Sequence, residues 1–185
     1  GGYGFCSEFV LQKYYLDIKI MSLYEGTTGI QSLDLLGRKV TMKGGAALMQ
    51  LVKEAKSVIE EASTYDELKP FATQLDEQLK LNRKVLEFLI PIAMKGDHER
   101  FLADATIFME FFGTIVIAWQ WLKIAINAKK ALLTGNTTYD ISFYEGKIHT
   151  MKFFFKYEVN RNTGLVDILT SEEVLTIMDE KELIA

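Results

Sequence analysis

A chain of 185 residues, 49% of them hydrophobic and 12% aromatic, can enclose one sizeable core, or one core with a smaller attached element. A net charge of −4 and a pI of about 5.3 argue against a nucleic-acid partner, which would call for a basic face. One cysteine, Cys6, and two histidines, His98 and His149, exclude an internal disulfide framework and supply too few ligands for a Cys/His zinc site, so no metal is expected.

The opening Gly1-Gly2-Tyr3-Gly4 has no Met, and such a glycine cluster ordinarily sits between two elements. The expectation is a piece cut from a longer protein. Residues 1 to 20 lack the basic start and apolar run of a signal peptide, and the single cysteine fits a reducing compartment, so a cytoplasmic location is expected. Apolar residues at Phe5, Phe9, Val10, Tyr14, Ile18 and Met21 recur near helical spacing. Gly26-Thr27-Thr28-Gly29 breaks that helix, and Thr27 or Thr28 can cap a second one through Ile30, Leu33, Leu36 and Val40. Lys43-Gly44-Gly45 is the clearest hinge.

Beyond the hinge, Leu48, Leu51, Val52, Ala55, Val58, Ile59 and Ala62 mark an amphipathic helix. Ser63 and Thr64 are expected to end it and cap the next. That one carries Leu68, Phe71, Leu75, Leu79, Leu86 and Leu89 and runs into Pro91 and Gly96. Asp97 caps a third helix over residues 98 to 132. Its stretch 106 to 125 is the most apolar of the chain, but Glu110, Gln120 and Lys123 interrupt it. We expect a buried central helix there and no membrane span. Lys129-Lys130 suits a helix end. After the turn Thr134-Gly135-Asn136-Thr137, a fourth helix covers about 139 to 162, with Tyr144, Ile148, Met151 and Phe155 on one face. The β-branched stretch Gly164 to Leu169 is expected to be extended, and Ser171-Glu172-Glu173 to open a short last helix. With only Pro70 and Pro91 as helix breakers, the expected fold class is all-α: an up-down helical bundle over residues 43 to 162 with a preceding helical segment.

Residues 1 to 5 read GGYGF, residues 7 to 23 SEFVLQKYYLDIKIMSL, and residues 24 to 31 YEGTTGIQ. In order and spacing these resemble the end of the catalytic core of acyl-CoA dehydrogenases. That family carries a GGxGF/Y run, a helix with an R-D-x-[RK]-I segment, then YEGT and IQ. Asp17, Lys19 and Ile20 match the middle segment, while Leu16 stands where Arg is expected. The remainder, including FYEGKI at 143 to 148 and Phe153-Phe154-Phe155, resembles an extra C-terminal helical domain of a longer bacterial subgroup. The division implied is residues 1–42 as the end of the dehydrogenase C-terminal catalytic domain and 43–185 as its helical extension.

The family's reaction removes a proton from the α-carbon of an acyl-CoA and passes a hydride from the β-carbon to a flavin. The proton needs a base within hydrogen-bond reach. The resemblance assigns that role to Glu25, and the residue types agree. A carboxylate in a dry pocket has a raised pKa and is a stronger base. Gly26 lets substrate approach the backbone, whose N–H groups can stabilise the developing enolate. Thr27, Thr28 and Gly29 precede a helix and direct N–H groups outward, a geometry suited to anions. The resemblance places them against FAD. It also places Gly1 and Gly2 against an FAD bound largely by a neighbouring subunit, which implies a homodimer or homotetramer. It implies further an acyl-CoA substrate and electron-transfer flavoprotein, or a similar acceptor, as partner.

Several residues carry plainer readings. A Glu before Gly is ordinarily a solvated helix end. Glu145, in the second Tyr-Glu-Gly, lacks the following Gly-Thr and serves as a control. Cys6 reads as an inert packing residue, His149 as a core-edge residue, His98 as solvated, and Trp119 and Trp121 as core. Residues 43 to 162 offer no paired carboxylates, metal cluster or phosphate loop, so packing, at a substrate entrance or an oligomer interface, is their expected role. The fragment alone is expected to be inactive. The alternative is a non-catalytic helical interaction or oligomerisation module of a dehydrogenase-like protein.

Overall fold

The helical periodicity of the sequence is realised as eight α-helices in a computed structural model that describes residues 1–24, 26–135 and 137–177. They are α1 (Val10–Lys19), α2 (Thr28–Asp34), α3 (Met42–Ala62), α4 (Lys69–Met94), α5 (His98–Leu102), α6 (Ala105–Thr134), α7 (Ile141–Tyr157) and α8 (Asn162–Leu169). No strand occurs among the described residues. The all-α bundle expected from the sequence is therefore present, with further helices ahead of it.

The axis of the bundle is α6. Its 30 residues span roughly 45 Å at 1.5 Å per residue. Phe108, Phe111, Ile115, Ala118, Leu122, Ala125 and Ile126 are buried along it, and α2, α3, α4, α7 and α8 all pack on it. Among the described residues it is the one helix long and apolar enough to cross a membrane. Its apolar stripe is spent on helix packing, as a central helix requires. The surrounding core comes from Ala55 and Ala62 of α3, Ala72, Leu75 and Val85 of α4, and Met151 and Phe155 of α7. Trp119 and Trp121 are half-buried against it.

The hinge lies where it was expected. Lys43, Gly44 and Gly45 take φ of 53°, 67° and 81°, three successive left-handed residues inside the nominal span of α3. Glycine adopts that region without steric cost, and Lys43 alone bears the strain. Gly135, at φ 69°, ends α6 in the same way, while Asn136 of the expected turn lies outside the described residues.

Five local expectations need correction. Ser63 and Thr64 close α3, donating to the carbonyls of Ile59 and Glu61 at 2.7 Å each, and a turn separates them from α4. The helix expected over 98 to 132 is two helices. Asp97 does cap the first, accepting from the Arg100 N–H at 3.1 Å, but the chain breaks at Ala103 and Asp104 before α6. The expected fourth helix likewise ends at Tyr157, followed by a 3-10 turn, Val159–Arg161. Gly164 to Leu169 is helical, because Asn162, Val166 and Leu169 fall on one face and are buried; burial on a helical period overrides β-propensity. The helix expected after Ser171 is absent through residue 177, where side chains satisfy the segment instead. Arg100 donates to the Glu172 carbonyl at 3.0 Å, and Thr176 pairs with Asp104 at 3.3 Å. Residues 178–185 of that expected helix lie outside the described residues.

Residues 1 to 24 differ from everything after them: none is buried. A 3-10 turn, Gly2–Phe5, leads to α1 and then to a second, Ile20–Ser22. These turns are the partners of α1, and its apolar residues, among them Tyr14, Tyr15, Leu16 and Ile18, are exposed.

Candidate functional site

The site expected from the sequence centres on residues 24 to 31. Glu25 itself lies outside the described residues. The next residue, Gly26, takes φ 111°, a conformation that favours glycine. Thr27 follows in extended conformation at the N-cap of α2, although its side chain makes no capping hydrogen bond. The Gln31 side chain reaches back over this turn, donating from Nε2 to the Gly26 carbonyl at 3.1 Å and the Tyr24 carbonyl at 3.4 Å.

The helix behind the turn is fixed to the bundle. Ser32, 1% exposed, hydrogen-bonds Thr106 Oγ1 at 3.1 Å and donates to the Gly29 carbonyl at 2.8 Å. From Asp34 the chain widens into a π-helical turn, Leu35–Lys39, closed by the Val40 N–H on the Leu35 carbonyl at 3.0 Å. That turn sends Leu36 and, just beyond it, Val40 into the core. The absent side chain of Gly37 admits Leu102, since a Cβ there would stand 3.2 Å from Leu102 Cδ2. Arg38 Nε bonds Asp34, and chiefly through this bond the Asp34 carboxyl is held below its ordinary range.

A cleft of about 310 Å³ opens between the start of α2 and the α5–α6 turn. Thr27, Gly29 and Ile30 form one wall, and Leu102, Ala103 and Thr106 the other. The structure thus brings two of the expected cofactor-contacting positions, Thr27 and Gly29, against residues some 75 positions later in the chain; Thr28 does not line the cleft. Gly1 and Gly2 sit in the first 3-10 turn and its N-cap, where an added Cβ at either would meet nothing within 4 Å.

Elsewhere, among the described residues, the bundle offers further recesses, two of which hold charged groups of interest. An apolar groove of about 750 Å³ between α3 and α4 has Asp76 and Glu87 on its rim, tied to Lys80 and Arg83 at 2.7 Å each. A polar recess of about 530 Å³ holds Glu145, His149 and the trio Glu67, Lys129 and Lys152. His149, expected at the core edge, is exposed there, because the neighbouring Ile148 takes the inward position. Glu67 accepts from Lys129 at 2.6 Å and from Lys152 at 2.8 Å. These bonds, that from Lys129 first, hold its carboxyl below the ordinary 4.5. Such a paired carboxylate is a structural tie and a poor base. No group of three or more His, Cys, Asp and Glu suited to a metal ion occurs among the described residues.

Sequence reading missed three participants: Gln31, Ser32 and the α5–α6 turn. Gln31 belongs to the motif and was within reach. Ser32 meets Thr106 across 74 residues, and no local pattern announces that contact.

Residues 49–179 match the family described as acetyl-CoA dehydrogenase C-terminal like. The broad-specificity linear acyl-CoA dehydrogenase of Mycobacterium tuberculosis is 29% identical over 185 residues, covering 97% of this chain and 29% of that protein. The 3-methylmercaptopropionyl-CoA dehydrogenase of Ruegeria pomeroyi is 32% identical over 155 residues, 83% of this chain and 26% of that protein. A butyryl-CoA dehydrogenase of Syntrophomonas wolfei is 26% identical over 178 residues, 96% and 29% of the respective chains. The chain spans less than a third of the length of these curated relatives.

Proposed function

Since the chain belongs to the acetyl-CoA dehydrogenase C-terminal-like family, we propose that it is the helical C-terminal module of an acyl-CoA dehydrogenase-like protein, a packing and assembly element that is inactive alone. One observation carries this reading. The bundle from α2 onward encloses its own core, whereas residues 1 to 24 bury nothing and expose Phe5, Tyr15, Leu16 and Met21. So much exposed apolar surface in one segment marks an interaction surface. In this reading residues 1–42 complete the dehydrogenase's catalytic domain and 43–185 form the extension. The apolar segment is the seam between them and the rest of the protein.

A second reading concerns chemistry in the assembled protein, and the run Tyr24-Glu25-Gly26-Thr27 beside the cleft favours it. Glu25 takes the proton from the α-carbon of an acyl-CoA thioester as the α,β double bond forms. Gly26 leaves room for the thioester against the backbone. FAD, when bound, supplies the acceptor for the hydride lost from the β-carbon. The cleft at Thr27 and Gly29 is at the small end of ligand sites and cannot enclose a dinucleotide. Thr27 and Gly29 therefore fit contact with one edge of the cofactor, Thr28 is assigned there by the motif alone, and Gly1 and Gly2 are assigned to a second copy held by a neighbouring subunit. A homodimer or homotetramer, electron-transfer flavoprotein or a similar acceptor, and a cytoplasmic location complete this reading.

Two preparations test it. The isolated chain is expected to be colourless and without dehydrogenase activity; a stoichiometric yellow flavin on it would refute the module reading. In the full-length protein, Glu25→Gln should retain FAD while flavin reduction by an acyl-CoA falls by about a hundredfold or more. Reduction at the wild-type rate would remove Glu25 as the base.

A further inference from the structure

We propose that the groove between α3 and α4 is a binding site for a small amphiphile with an apolar tail, a secondary amide and a terminal carboxylate, the chemistry of an N-acyl amino acid. None of its residues belongs to the stretch 1 to 31. The decisive group is Asn82. It lines the groove yet is only 3% exposed, and its Oδ1 is buried with no hydrogen-bond partner among the described residues. A buried acceptor without a donor keeps its desolvation cost, so such atoms are few in folded proteins. Gln78, one turn earlier on α4, is buried too, but it accepts from the Asn162 amide at 2.8 Å. The wall facing Asn82 comes from Leu48, Met49, Val52 and Lys56 of α3, of which only Lys56 carries a side-chain donor. The terminal torsion of an Asn side chain is broad and two-fold, so a half-turn exchanges its oxygen and its NH2 group. A secondary amide, which both donates and accepts, matches either setting.

The two ends of the groove set the two ends of the ligand. A short connection joins α3 to α4, and the two helices pack side by side in opposite directions. Lys56 therefore lies toward the Asp76 end, and Leu48 and Met49 toward the Ile90 end, with Asn82 between them. The Ile90 end, with Leu86 beside it, suits an apolar tail. At the other end Lys56 is exposed and has no ion-pair partner among the described residues, whereas Asp76 and Glu87 neutralise Lys80 and Arg83 at 2.7 Å each. The lining thus carries one unbalanced positive charge, which complements a carboxylate. From Asp76 to Pro91 the α4 wall runs for roughly 22 Å. A volume of about 750 Å³ falls within the range of small-ligand sites. A docked helix has its own backbone N–H groups already bonded, so the unpartnered amide favours an extended, amide-bearing ligand over a partner helix.

The test uses N-octanoylalanine and its ester counterpart, O-octanoyl lactate, in which an oxygen replaces the amide N–H. Calorimetric titration of the 185-residue chain should show saturable 1:1 binding of the amide with a Kd of about 10–100 μM, and about tenfold weaker binding of the ester. Asn82→Leu keeps the side chain's approximate size and removes its polar end. It should weaken the amide about tenfold and abolish the preference over the ester. Its melting temperature should stay the same or rise, because an unpartnered buried group is gone. Lys56→Glu should weaken binding about fivefold, and high salt should weaken wild-type binding in the same direction. The full-length protein should bind the amide as the 185-residue chain does. No saturable binding up to about 1 mM overturns the site. Equal affinity for amide and ester, or undiminished binding by Asn82→Leu, overturns the recognition by Asn82. A lower melting temperature in Asn82→Leu overturns it as well, since the amide would then serve the fold. Binding by the 185-residue chain that the full-length protein lacks would make the groove a surface covered by the rest of the protein, and would overturn it as a ligand site.

Discussion

Asn162 is completely enclosed, and its amide donates to Gln78 Oε1 at 2.8 Å and to the Phe111 carbonyl at 3.4 Å. A buried acceptor that loses its donor keeps its desolvation cost. Asn162→Ala should therefore destabilise the bundle by about 1–3 kcal/mol in urea unfolding, with the denaturant slope unchanged. A change of a few tenths would mean that water replaces the amide. Glu67 gives a prediction of a different kind. Its pKa is depressed in the folded state, mainly by the Lys129 bond. A depressed carboxyl stabilises the fold above its unfolded pKa and loses that contribution as pH falls through the folded one. The loss therefore begins near the ordinary 4.5 and proceeds below it. With a side chain 35% exposed, the contribution is at most about 1 kcal/mol. Glu67→Gln should flatten that part of the acid-unfolding curve, and an unchanged curve would show the tie to be idle. Neither contact was legible in the sequence, since Gln78 and Asn162 lie 84 residues apart. The expectation for Glu25, by contrast, rests on its neighbours in sequence, a local signal.

At the scale of elements, apolar spacing was a reliable guide for the longer helices that pack on α6, namely α3, α4 and α7. Leu75, Leu79 and Leu86, or Ile148, Met151 and Phe155, repeat at helical intervals and are buried as that pattern requires. The pattern failed where the deciding force was not periodic. The break at Ala103 and Asp104 leaves the apolar spacing almost undisturbed, so 98 to 132 reads as one helix. Val166 and Leu169 are β-branched or apolar in a short run, and only their burial beside α6 selects the helix. The hinge was legible because its residues have a single physical use. Gly44 and Gly45 occupy left-handed φ, which alanine enters at a cost of about 1 kcal/mol or more. Gly44→Ala and Gly45→Ala should each lower stability by about that amount in thermal or urea unfolding. Neutral substitution at both would mean that the chain can cross from the π-helical turn to α3 by another route. A Cβ at Gly44 meets nothing within 4 Å, so the cost there is conformational alone.

At the scale of the molecule, the chain has two parts of opposite character. From α2 onward, helices share a core that includes Leu36 as well as Phe111, Met151 and Phe155. Ahead of them, α1 and its flanking turns hold their apolar side chains in solvent. The composition could not announce this, because residues 5 to 22 carry the same apolar spacing as the helices that are buried. What distinguishes them is that no surface among the described residues buries them. The most direct test compares amide hydrogen exchange of residues 1 to 24 in the 185-residue chain and in the full-length protein. The module account predicts rapid exchange in the isolated chain and strong protection, by about a hundredfold or more, once the remainder of the dehydrogenase is present. Equally rapid exchange in both would contradict it, because the apolar segment would then have no seat in the whole protein.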